Sequence, residues 1–129
     1  MADERIRSDR TASRVAIVAG IVFVLGGLPK FVAFNWELDA FVRFGLPVPE
    51  AWVIVAGVVE IGGGALLIAR RQVVGAALLL AITMAVAVAV SGVEEGDVLP
   101  SLTLAPALLA ACLYLLVRAS PRRPVPVGR

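Results

Sequence analysis

The chain has 129 residues, 60% of them hydrophobic and only 17% charged, with 12 Lys and Arg, 10 Asp and Glu, no His and one Cys. A water-soluble domain carries about a quarter charged residues, so this composition excludes a soluble globule and points to an integral membrane protein. The absence of His removes the usual haem and zinc ligands and the usual general base near neutral pH; a lone Cys excludes an internal disulfide, a C-x-x-C redox pair and a Cys-rich metal site.

The first segment, residues 1–13, reads as a basic N-terminal tail carrying Arg5, Arg7 and Arg10. Arg14 then opens an apolar run from Val15 to Leu28 that continues through Pro29 and Lys30 to about Phe34, predicting a helix over about 14–34. The run ends in Gly26-Gly27-Leu28-Pro29-Lys30 with no A-x-A site before a polar start, which argues against a cleaved signal peptide.

Residues 31–50 hold Phe31, Phe34, Trp36, Phe41 and Phe44, and Trp52 follows, so six of the eight aromatic residues cluster here. Phe41, Val42 and Phe44 beside Glu37, Asp39 and Arg43 read as a short amphipathic turn lying in the membrane interface. That segment is either a plain interfacial anchor or a lid or docking surface over that end of the bundle. Gly45-Leu46-Pro47-Val48-Pro49 stiffens the approach to the next helix, with Pro49 and Glu50 suited to its first turn.

Three further apolar runs follow, over 51–69, 73–91 and 99–117. About 20 apolar helical residues cross a hydrocarbon core, within a range of roughly 17–25, so each of the four runs is a membrane-helix candidate. Arg70-Arg71-Gln72 is a turn short enough to make its two helices antiparallel neighbours. Ala77, Ala81, Ala85 and Ala89 form a ladder of small residues that favours close helix packing. Glu94-Glu95-Gly96-Asp97 lacks calcium-loop spacing and reads as a solvated loop. In the last run Pro100 suits an opening turn, Pro106 is expected to kink the helix, and Cys112 reads as an inert small hydrophobe. Residues 121–129 form a Pro- and Arg-rich tail.

Arg5, Arg7, Arg10 and Arg14, Arg70 and Arg71, and Arg118, Arg122, Arg123 and Arg129 would share one side of the membrane, leaving Lys30 and Arg43 on the other. The positive-inside rule makes the first side cytoplasmic. The expectation is an all-α, integral membrane, antiparallel four-helix bundle with both termini cytoplasmic, multi-pass in a plasma membrane. Its first partner is the lipid bilayer. No aromatic stacking platform accompanies the arginines, so nucleic acid is not an expected partner.

Glu60 is the sharpest chemical signal. It sits in the middle of an otherwise uncharged run, with Ala56, Gly57, Gly63 and Gly64 as its helical neighbours at three and four residues. A carboxylate at that depth is costly and belongs inside the bundle. Its neutral form could instead bond a backbone carbonyl or a hydroxyl such as Thr83. Lys30 lies ~6 Å inside its helix end and Glu60 ~13 Å from its own, at 1.5 Å per residue. Long side chains could close the difference, so the two are candidate partners in a buried or water-bridged pair. Alternatively Lys30 snorkels to the outer interface.

Together, Arg14 to Lys30 (R-x5-G-x5-GG-x-PK), F-x-x-FGLP-x-P at Phe41–Pro49, VVEIGGGALLI at Val58–Ile68, and the Arg-bearing turn that follows resemble the DoxX family of small four-helix bacterial membrane proteins. The resemblance covers roughly residues 14–120 and marks Lys30, Gly45, Pro47 and Glu60 as positions to watch. It implies a subunit of a quinone-linked or redox-stress oxidoreductase system; the family is associated with a thiosulfate:quinone oxidoreductase subunit and with assemblies handling thiol and oxidative stress. The chain encodes no dithiol, flavin or haem motif, so a redox role needs a bound quinone or a cofactor-bearing membrane-protein partner. Glu60 and Lys30 would be the proton-transfer or polar residues, and Trp36, Phe41, Phe44, Gly45 and Pro47 the ligand-binding ones. A non-catalytic scaffold or assembly subunit, a homo-oligomer and a proton-coupled carrier remain alternatives, and whether the chain is an enzyme stays open.

Overall fold

The computed structural model describes residues 2–43, 45, 47–91 and 105–120, with the side chains of residues 37, 40, 41, 90 and 91 outside that description. Seven helices occur in it: α1 (Ala2–Ser8), α2 (Arg10–Gly27), α3 (Pro29–Val32), α4 (Phe34–Arg43), α5 (Pro49–Ala69), α6 (Val73–Ser91) and α7 (Ala105–Ala119). Among the described residues there is no strand. Two stretches, Arg10–Val32 and Pro49–Ala69, are long and apolar enough to cross a membrane; Val73–Ala89 and Ala105–Ala119 are shorter apolar helices. Large apolar side chains such as Val18, Leu25, Val58, Leu79 and Val117 stand exposed along α2, α5, α6 and α7. In water such an apolar exterior would be a severe liability; facing lipid it is the surface the solvent requires.

The expected tail at 1–13 is helical over most of its length. Asp9 divides α1 from α2: its Oδ1 accepts hydrogen bonds from the Thr11 N–H at 3.0 Å and the Ala12 N–H at 3.2 Å, capping α2. Acidic residues fill the first turn of α1 and Ile6 is fully buried, so this short helix is held by packing as well as by local preference.

The expected single helix over 14–34 is longer at its start and interrupted at its end. Leu28 keeps helical angles at φ −58° and ψ −45°, and Pro29 opens α3 directly after it. Proline lacks the N–H that would bond four residues back, so the regular ladder is broken there. A second break follows at Ala33, at φ −117° and ψ 49°, where α4 turns away.

At the other end of α5, Arg70 adopts the left-handed conformation at φ 54°, and its N–H reaches the Leu66 and Leu67 carbonyls. This closes α5 and returns the chain into α6 within two residues. Arg70 Nη1 donates to Ser13 Oγ at 2.7 Å, tying the turn to the start of α2. Pro106 is the second described residue of α7, so the expected kink bears on residues that lie outside the described ones. The segment 99–104, including Pro100, lies outside the described residues, as do the 94–97 loop and the 121–129 tail.

Helices α2 and α5 run antiparallel along a glycine seam. A Cβ on Gly20 would lie 2.5 Å from the Gly64 carbonyl oxygen, and one on Gly64 would lie 2.7 Å from the Gly20 carbonyl oxygen. Backbone therefore meets backbone, an approach only small residues permit. Helix α6 packs on α5 through Leu80, which lies against Gly63, and on α7. The buried cluster holds Phe23, Leu67, Leu80, Cys112 and Leu115, with Ile6 of α1 joining it.

Candidate functional site

The seam places one carboxylate and one ammonium together. Gly27 precedes Lys30 by three residues across the α2–α3 junction and Gly57 precedes Glu60 by three on α5, so each glycine lies about one turn before a charged residue. Because the helices are antiparallel, each glycine meets the other helix's charged stem. A Cβ on Gly27 would lie 3.2 Å from Glu60 Cβ, and one on Gly57 would lie 3.2 Å from Lys30 Cβ. Both stems thus run directly against backbone.

Their head groups meet: Lys30 Nζ is 3.1 Å from Glu60 Oε2, with the two side chains only 12% and 8% exposed. Lys30 Nζ also donates to the Gly26 carbonyl oxygen at 3.4 Å. That carbonyl lies just before the Pro29 break. The ammonium is therefore shared between a carboxylate and a backbone dipole, which is how a buried charge is made tolerable.

Phe31 is the residue that pattern reading leaves out. A Cβ on Gly57 would lie 2.7 Å from Phe31 Cε2 and 2.9 Å from its Cζ. The ring therefore sits on the bare backbone of α5 beside the Lys30 stem, walling one flank of the pair. The only hint in the sequence is its place after Lys30, with Gly57 three residues before Glu60 on the facing helix.

The remaining expected residues are dispersed. Trp36 lies on α4 and is 72% exposed. Gly45, at φ +73°, and Pro47 are exposed in the turn leading to α5; glycine suits Gly45 because a side chain is disfavoured at that φ. The Phe41 side chain and Phe44 lie outside the described residues. Thr83 is engaged on its own helix, its Oγ1 donating to the Leu79 carbonyl at 2.8 Å. Cys112 is fully buried on α7. Among the described residues no group of His, Cys, Asp and Glu is arranged to hold a metal ion.

A buried ammonium beside a buried carboxylate offers a hydrogen-bond donor and a proton acceptor to one polar group within an apolar surround. This arrangement can bind a carbonyl or hydroxyl oxygen and relay a proton. The protein-family model for DoxX matches residues 13–92, which contain the seam, Lys30 and Glu60. No curated protein and no solved structure matches the chain. The match spans well over half of the sequence, and the chain belongs to the DoxX family, a family of membrane proteins.

Proposed function

We propose that this DoxX-family membrane protein crosses the bacterial inner membrane as an antiparallel four-helix bundle over residues 14–120, with both termini cytoplasmic, and serves as a quinone-linked subunit of an oxidoreductase system. The orientation is supported by charge: Arg5, Arg7, Arg10, Arg14, Arg70, Arg71 and Arg118 gather at the end where α1, the α5–α6 turn and the close of α7 meet. The observation that carries the functional reading is the Lys30–Glu60 pair at 3.1 Å inside the glycine seam.

The residues present suit a quinone head group in chemical type. Lys30 would donate to a ring oxygen, Glu60 would accept or return a proton, and Phe31 would offer an aromatic wall. A bound quinone would supply two-electron, two-proton chemistry that no side chain of this protein provides. The chain's own work is then limited to binding, orientation and proton handling, with electrons delivered by a partner protein's cofactor. Such a subunit is expected to be purified from native membranes, in mild detergent, with extractable isoprenoid quinone, which Lys30→Met and Glu60→Gln lose. Purified protein that carries no quinone, with Lys30→Met and wild type alike, would contradict the reading.

A second reading, a non-catalytic scaffold, is favoured by one feature. Val32, Trp36 and Val42 leave an exposed apolar edge on α3 and α4, suited to another membrane protein or a second copy. In that case the native purification yields a stoichiometric membrane-protein partner that survives Glu60→Gln and is lost on Trp36→Ala.

A further inference from the structure

Helix α1 has seven residues, fewer than an isolated helix needs to be stable in water, so its order comes from what it holds. Asp3 spans to α6: Oδ2 accepts the Gln72 N–H at 3.0 Å and Oδ1 accepts the Val73 N–H at 2.9 Å. These are donors that a helix start leaves without intrahelical partners. Two residues on, Arg5 spans to α7, its Nη1 donating to the Ala119 carbonyl oxygen at 2.9 Å. An anion thus sits at the start of one helix and a cation at the end of another, each matched to the local dipole. Ile6 is fully buried beneath them. Directly after α1, Asp9 Oδ2 lies 3.6 Å from Arg118 Nε, a second link to the close of α7.

Helices α1 and α7 both lie outside the residues 13–92 that the family model matches. Besides α1, α7 packs on α6 and on α2. The attachments of α1 are mostly polar and border an open cleft of about 150 Å³ lined by Ala2, Asp3, Gln72, Val74 and Gly75. One large apolar side chain is all that α1 buries, against the long apolar seams elsewhere.

We propose that α1 is a clasp: α1 and the closing turn of α7 open and shut as one cooperative unit, and the shut clasp keeps α7 docked on α2 and α6. The fully buried thiol of Cys112, seven residues before Ala119, reports on that docking. Local opening of this kind is read by hydrogen exchange. In the full-length wild-type protein in lipid nanodiscs, amides of α1 and of Val117–Ala119 are expected to show protection within about threefold of each other. A difference of tenfold or more overturns the proposal. Asp3→Ala is expected to speed exchange at both places and to raise N-ethylmaleimide labelling of Cys112 about fivefold at constant pH, an effect of the size a lost helix cap produces. Asp3→Asn, which keeps one acceptor oxygen, should fall between. Faster exchange at residues 72 and 73 alone, with α7 and Cys112 unchanged, reduces Asp3 to a local cap and overturns the clasp. Should Asp3→Ala fail to fold, the wild-type comparison decides by itself.

Discussion

Lys30 and Glu60 face each other across two antiparallel helices at 3.1 Å, and each charged stem rests on a glycine of the opposite helix. The reciprocity matters physically. A buried ion pair is tolerable only when both charges are well placed and further hydrogen bonds share the load. Here Gly27 and Gly57 bring the backbones close enough for the head groups to meet, and the Gly26 carbonyl takes a further ammonium hydrogen bond. The seam and the pair are one construction.

Glycines inside the seam and outside it should therefore respond in opposite ways. Gly20→Ala drives a Cβ to 2.5 Å from the Gly64 carbonyl oxygen, where only backbone movement relieves the clash. A loss of ~1–3 kcal/mol is expected, the usual size of an overpacked site. Gly62→Ala, with nothing within 4 Å of the added carbon, should be neutral or stabilising by up to ~1 kcal/mol through helix propensity. Thermal unfolding of the two variants in one detergent checks the contrast; equal effects would show that the seam is not close-packed.

Acid should weaken the α1–α6 link. The Val73 N–H, the largest influence, favours the ionised Asp3; burial opposes it, and the Gln72 N–H and the Arg7 charge add to the Val73 bond, so the pKa is held below the ordinary 3.8. A carboxyl whose pKa is lowered on folding adds stability that is present above its unfolded value and is lost as pH falls through the folded one. Exchange at residues 72 and 73, corrected for its intrinsic pH dependence, should stay level from pH 7 to about 5 and rise below about 4. Asp3→Asn removes that rise. A wild-type profile flat to pH 2.5 would contradict it.

Trp36 should sit in the lipid interface. Its exposure on the amphipathic α4 and the preference of Trp for the head-group level agree on this. In a Trp52→Phe background, Trp36 fluorescence in proteoliposomes should be quenched more by lipids labelled near the head group than by lipids labelled near the chain end, and little by aqueous iodide. Strong iodide quenching would place α4 in water.

Much of this architecture is readable from the residues. Four apolar runs, the last two free of charge, mark the apolar helices, and Glu60 stands out as the one charge amid small residues in its run. The ~6 Å expected for Lys30 assumes an unbroken helix to Phe34, and the breaks at Pro29 and Ala33 remove that assumption. Spacing does not say which helices face each other, so the reciprocal fit of Gly27 with Glu60 and of Gly57 with Lys30 emerges only from packing. Phe31 is hidden for the same reason, since its role depends on a bare backbone across the seam.

Helix α1 is unreadable on other grounds. Asp3, Glu4, Arg5 and Arg7 look like a solvated tail, and only the turn ahead of α6 and the end of α7 turn two of those charges into caps. Pro29 shows the reverse case: the apolar run reads straight through it to Phe34, whereas its missing N–H interrupts the helix there.

The pair itself is tested most directly by a double-mutant cycle on unfolding in nanodiscs, using Lys30→Met, Glu60→Leu and the combination. Each single change leaves a buried charge without its partner and should cost ~3–5 kcal/mol. The double variant should cost no more than either single one, giving a coupling of at least ~3 kcal/mol. Additive effects, with coupling inside ~0.5 kcal/mol, would mean that Lys30 and Glu60 do not act together and would remove the basis of the site.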